Sequence, residues 1–222
     1  MKRQDAIEAA GIVDRMLANL IATVPPKGRA GSQARTTIGD TRANALKLLI
    51  HDDIGPSLDA CFDDARLAGS TLQQIESVRR QLDAETTATL GGILVKNASV
   101  RFCLATEAAI IARMEFVSRQ SVALIKNEMA QPFAEAEEIA ADDMDSMTYQ
   151  ALIRLQAAIT NHLVETARPL PRMLRYQFAA VLPSLMLSYR LYDDASRADE
   201  VRQENKIVHP AFCPTEGLAL SQ

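Results

Sequence analysis

From Arg3 to Leu163 apolar side chains return at steps of three and four residues, and this spacing commits most of the chain to amphipathic helices packed on one another. Ile7, Ile12, Val13, Met16, Leu20 and Ile21 form the first stripe, which predicts a helix over residues 1–24 that stops at Pro25 and Pro26. Residues 25–39, PPKGRAGSQARTTIG, are rich in Pro, Gly and small polar side chains and read as a flexible linker or arm. A helical body is expected over 40–170. Its shorter helices cover Asp40–His51 and Leu58–Leu67, broken at Gly55-Pro56 and Gly69-Ser70, and Ser70 or Thr71 caps a further helix through Asp83. After Gly91-Gly92 the longest periodic stretch, Ile93 to Met129, carries Leu104, Ala108, Ile111, Met114, Val117, Leu124 and Ile125 on one broad face and ends before Pro132. A last stripe runs through Thr148, Leu152, Leu155, Ile159 and Leu163, with Asp142, Asp143 and Asp145 placed where helix starts favour acids. These two long segments are expected to form an antiparallel hairpin across a connection from Pro132 to Asp145.

Several function classes are disfavoured by what surrounds this pattern. The formal charge of −4 is spread over interleaved acids and bases, so there is no basic stripe to displace counterions from DNA. Lys27, Arg29 and Arg35 could touch phosphates, but no aromatics are interleaved with them and a solvated segment is the plainer account. Cys61, Cys103 and Cys213 are odd in number and far apart, which argues against a disulfide framework or a zinc site. No stretch approaches the length of a membrane span. His51, His162 and His209 lie in unrelated contexts, and no GxSxG, HExxH or glycine-rich phosphate loop is present. The expectation is a protein with no active site, no metal and no cofactor.

After Pro171 the pattern changes. Leu174 to Val181 alternates and is rich in aromatic and β-branched residues, which predicts a strand. Pro183 opens a helix to about Tyr192, Asp193 to Ser196 make a turn and cap, Arg197 to Asn205 form a second short helix, and Leu218 to Leu220 can pair with the first strand. The fold class is therefore mainly α: a helical bundle or hairpin followed by a small α+β module over 171–222. The order strand, helix, helix, strand resembles a LysM domain, on the run LPSLMLSYRLYDDASRADEVRQENKIVHPAFCPTEGLAL. Asp193 stands where that family usually has Gly in the turn, and Asn205 is expected to brace the loop after the second helix.

The same run, with the helices before it from about Ile93, is similar to the C-terminal part of Mu-like phage DNA circularisation proteins. The N-terminal domain of that family has no counterpart here, since Met1 leads directly into helices. The resemblance implies a virion component made in the host cytoplasm: a structural protein of a contractile tail, in the baseplate or hub region, oligomeric, with tube, hub and wedge proteins as partners. It also implies two alternatives, a peptidoglycan-binding LysM protein of the tail and a protein assisting DNA circularisation. Tyr189, Tyr192, Asn205, His209 and Phe212 are the candidate residues of a docking or glycan groove, each of which also suits packing in so small a module.

Overall fold

The computed structural model describes residues 3–221. Its helices are α1 (Arg3–Thr23), α2 (Arg29–His51), α3 (Ile54–Ala68), α4 (Leu72–Asp83), α5 (Leu90–Ile111), α6 (Arg119–Asp142) and α7 (Ser146–Ala167). Strand β1 (Met173–Gln177), α8 (Ser184–Tyr192), a short 3-10 turn (Ala195–Arg197), α9 (Ala198–Glu204) and strand β2 (Glu216–Leu220) complete the chain. The protein is mainly α with a small C-terminal α+β module, as its periodicity predicts. No helix among the described residues is long and apolar enough to cross a membrane. The residues divide into two compact units, one of Met1–Met114 with Met129–Ile159, the other of Glu115–Glu128 with Thr160–Gln222.

In the first unit α1 is the central helix. Ala6, Ala9, Ile12, Val13, Met16, Leu17 and Leu20 are buried along it, and it packs against α2, α4 and α5. Phe62 of α3 stacks on Phe102 of α5 with ring centroids 5.9 Å apart. Thr71 and Gln74 form a reciprocal capping box at the start of α4, which satisfies two amides that the first helical turn leaves without partners. Glu8 of α1 does the same for α5, its carboxylate accepting from the Ala88 and Thr89 amides at 2.7 and 2.8 Å.

Four expectations fail here. Residues 29–39 are not an arm, because they are the first half of α2. The stripe that buries them, Gly31, Ala34, Ile38, Thr41, Ala45 and Leu49, is correctly spaced but built mostly from small side chains. A Cβ at Gly31 would lie 2.6 Å from the Pro25 carbonyl oxygen, so the small residue permits the close turn, and Arg35 donates to the carbonyls of Pro25 and Pro26. The stretch from Ile93 to Met129 is not one helix: α5 stops at Ile111, and a new start at Ser118 is capped by hydrogen bonds between Ser118 and Ser121. Pro132 lies inside α6, and the hairpin connection is only residues 143–145, with Met144 left-handed and Asp145 accepting from the Thr148 amide at 3.1 Å. Gly55 and Pro56 likewise sit in the first turn of α3, where proline lacks no needed donor.

In the second unit β1 and β2 pair antiparallel, Met173 with Leu220 through Gln177 with Glu216. The first strand is shorter than the predicted run to Val181, and the second begins two residues earlier than predicted. Beyond β1 the chain stays attached by a bridge between Leu182 and Cys213. The unit also reaches beyond the predicted boundary at 171, taking in residues 115–128 and 160–170. Arg119 of α6 holds them, donating to the carbonyls of Leu170 and Arg168 at 2.7 and 2.9 Å.

The edges of this two-stranded sheet are closed in part by side chains. Ser221 N donates to Arg172 O and Phe178 N to Thr215 O, both at 2.7 Å, so even-numbered residues of β1 carry the inter-strand bonds and odd-numbered ones turn N–H and C=O outward. On β2 the outward groups of Leu218 are both taken by the Asn205 amide, at 2.7 Å each, and the outward N–H of Leu220 donates to the Tyr192 hydroxyl. On β1 the Gln120 amide takes both groups of Met173, at 2.7 and 3.2 Å.

Candidate functional site

The five residues singled out in the sequence fall into two groups. Tyr192 and Asn205 are structural. Tyr192 is 6% exposed, its hydroxyl receives the Leu220 amide, and the Arg197 guanidinium lies 3.8 Å from its ring centroid while binding Glu200 through two nitrogens. Burial, with the Glu200 carboxylate nearby, pushes the Tyr192 phenol above its ordinary range and keeps it neutral. Asn205 donates to Val201 O and Leu218 O and accepts from Leu218 N, which ties the end of α9 to β2 as expected of it. The left-handed backbone falls on the next residue, Lys206, at φ 51°.

Tyr189, His209 and Phe212 are exposed. Tyr189 shares the outer face of α8 with Leu185 and Met186, because residues three and four apart lie on one side of a helix and Ser184, Leu187 and Ser188 take the inner side. Phe212, 69% exposed, stacks obliquely on His209 with ring centroids 5.1 Å apart, and His209 Nδ1 accepts from the Ala211 amide. Val181, on the loop before α8, and Val208, on the loop after α9, are also exposed. Leu185, Met186, Tyr189, Val181, Val208 and Phe212 are thus all uncovered in this one small unit.

The two loops 178–183 and 205–215 are fastened to each other. Cys213 N donates to Leu182 O at 3.0 Å, Ser184 N to Pro210 O at 2.6 Å, and Phe178 N to Thr215 O. Asp193 makes the turn between α8 and the 3-10 segment at φ 56°, a left-handed conformation that glycine adopts more readily than other residues. Asp194 caps that segment by accepting from the Ser196 amide.

Elsewhere polar groups are buried for packing. In the first unit a cavity of about 320 Å³ is lined by Arg79, Asp83, Lys96, Arg101, Pro132 and Glu135, among others. Behind it Glu107, fully buried, receives the Arg79 Nε at 2.9 Å. Burial outweighs the guanidinium and lifts the Glu107 carboxyl to about 7. Burial likewise raises the thiols of Cys61, Cys103 and Cys213. That suits packing rather than nucleophilic thiols. Among the described residues no group of three or more His, Cys, Asp or Glu could hold a metal ion. Sequence reasoning missed Gln120, Arg79 and Glu107, each of which depends on a partner distant in the chain.

No protein-family model matches this chain, and no curated protein matches it in sequence.

Proposed function

We propose that this protein is a structural component of a contractile phage tail, in the baseplate or hub region, and that its LysM-like C-terminal module joins it to neighbouring tube, hub or wedge proteins. The observation that carries the reading is the build of that module. It has the strand, helix, helix, strand order, a left-handed Asp193 turn and an Asn205 brace, and it presents Leu185, Met186, Tyr189 and Phe212 outward. A surface of this kind suits contact with other proteins, since aromatic and Met side chains supply area at low conformational cost. The body's Ala-rich helices serve as the rigid carrier. Function is then geometric, and no side chain is asked to perform chemistry.

Mass spectrometry of purified virions tests this reading. The chain should be present at fixed stoichiometry to the tube protein, and its absence from intact tails would remove the proposal.

Glycan binding is the second reading, and the exposed Phe212 and His209 rings are what favour it. Its weakness is that the two loops beside these rings are tied to each other by backbone hydrogen bonds, Cys213 N to Leu182 O and Phe178 N to Thr215 O. Titration with chitin oligosaccharides separates the two: saturable binding that is lost in Phe212→Ala favours the glycan reading.

A further inference from the structure

Only part of the sheet edge is closed. Leu218, Leu220 and Met173 have side-chain partners for their outward groups, whereas Arg175 and Gln177 turn N–H and C=O outward from β1 with no hydrogen-bond partner among the described residues. Grooves lie on both faces of this open segment. One, of about 340 Å³, is walled by Leu174, Tyr176, Leu191 and Leu220, and the other, of about 560 Å³, by Arg175, Gln177 and Leu218, with Glu216 on the β2 side of it, one strand further from the open edge than Arg175. Leu174 is 53% exposed beside the first groove, and Arg175 makes no ion pair among the described residues.

We propose that the open edge of β1 takes up an extended segment of a partner protein as a third strand, with apolar and acidic side chains alternating along it. The hydrogen-bonding frame dictates the extended form, because two outward residues two positions apart match the repeat of a strand. The grooves dictate the alternation: successive side chains of an added strand point to opposite faces, one toward Leu174 and Leu191, the next toward Arg175. A second copy of the chain is the poorer occupant, since β1 paired with itself about its centre sets Arg175 against Arg175. The inference rests on reading this unit as a docking piece.

The test is an NMR titration of the full chain with the capped peptide EVEVEV, and with KVKVKV as the control. Shifts and slowed hydrogen exchange are expected at the Arg175 and Gln177 amides, with EVEVEV bound at least about tenfold more tightly, a difference of roughly 1.4 kcal/mol. Gln177→Pro deletes an outward donor without touching a β1–β2 bond and should weaken EVEVEV binding by a similar factor. Arg175→Glu, which leaves the backbone unaltered, should turn the preference toward KVKVKV. No perturbation of β1, or an unchanged preference in Arg175→Glu, overturns the proposal. So does protection of the same amides by raising protein concentration alone, which would give the edge to a second copy. Purified tails separate this from the docking reading. If Gln177→Pro enters tails normally and Phe212→Glu does not, the strand fails and docking stands; if both enter normally, docking fails too.

Discussion

The helical unit and the C-terminal unit reach a fixed structure by different means. In the first, a continuous cluster of Leu, Ile, Val, Ala and Phe side chains is drawn from α1 to α5, and hydrogen bonds mainly close helix ends. In the second, Tyr176, Leu187, Tyr192, Val201, Cys213 and Ala219 form a smaller buried apolar cluster, with a few partly covered neighbours. Side chains that bond backbone make up the difference, as Asn205, Gln120, Tyr192 and Arg119 show. A module with so little interior keeps its shape while leaving much apolar surface uncovered. That combination suits an adaptor, whereas the first unit has the economy of a scaffold.

The contrast can be broken most forcefully in the first unit. Phe62→Ala removes a buried ring and should cost about 3–5 kcal/mol by urea unfolding, while the β1–β2 amide resonances stay in place at low denaturant. If those resonances are lost together with the helices, the two units do not hold themselves separately. A pH experiment isolates the buried ion pair. The Glu107 carboxyl is raised from an ordinary 4.5 to about 7 in the folded protein, so the folded state holds its proton more tightly than the unfolded one. Its stabilising contribution is therefore fully present below pH 4.5, declines as pH rises to about 7 and is absent above it, a change on the order of 3 kcal/mol. The stability of wild type should fall relative to Glu107→Gln as pH rises from 5 to 8, and parallel curves would refute the raised carboxyl.

Smaller effects belong to the second unit. Asn205→Ala leaves the outward N–H and C=O of Leu218 without their protein partner and should cost about 1–3 kcal/mol, read as faster hydrogen exchange confined to β2 and α9. Asp193→Gly should act in the opposite direction. At φ 56° a glycine relieves the left-handed cost, and a gain of up to about 1 kcal/mol is expected in the melting of this unit.

Those two residues also show where the sequence was legible. Asp193 and Asn205 act on chain neighbours or on a strand thirteen residues away, so turn chemistry and residue type announced their roles. Most helices were legible for the same reason, since a stripe of Ile, Leu and Met states which face is buried. The start of α2 was not, because its buried stripe is spelled in Gly31, Ala34 and Thr41, small residues that equally describe a loop. Gln120 was hidden more deeply: its partner Met173 lies 53 residues on, and nothing in QSVALIK marks the amide that closes a sheet edge. The Arg79–Glu107 pair joins two helices, α4 and α5, in each of which its member reads as an ordinary charged surface residue.

Docking through the C-terminal unit is decided by the copy number of the full chain in purified tails when Leu185→Glu and Phe212→Glu are combined. Both side chains are exposed, so circular dichroism and thermal melting should match wild type. The account predicts tails that lack this variant; tails that contain it at the wild-type copy number would contradict a docking role for the C-terminal module.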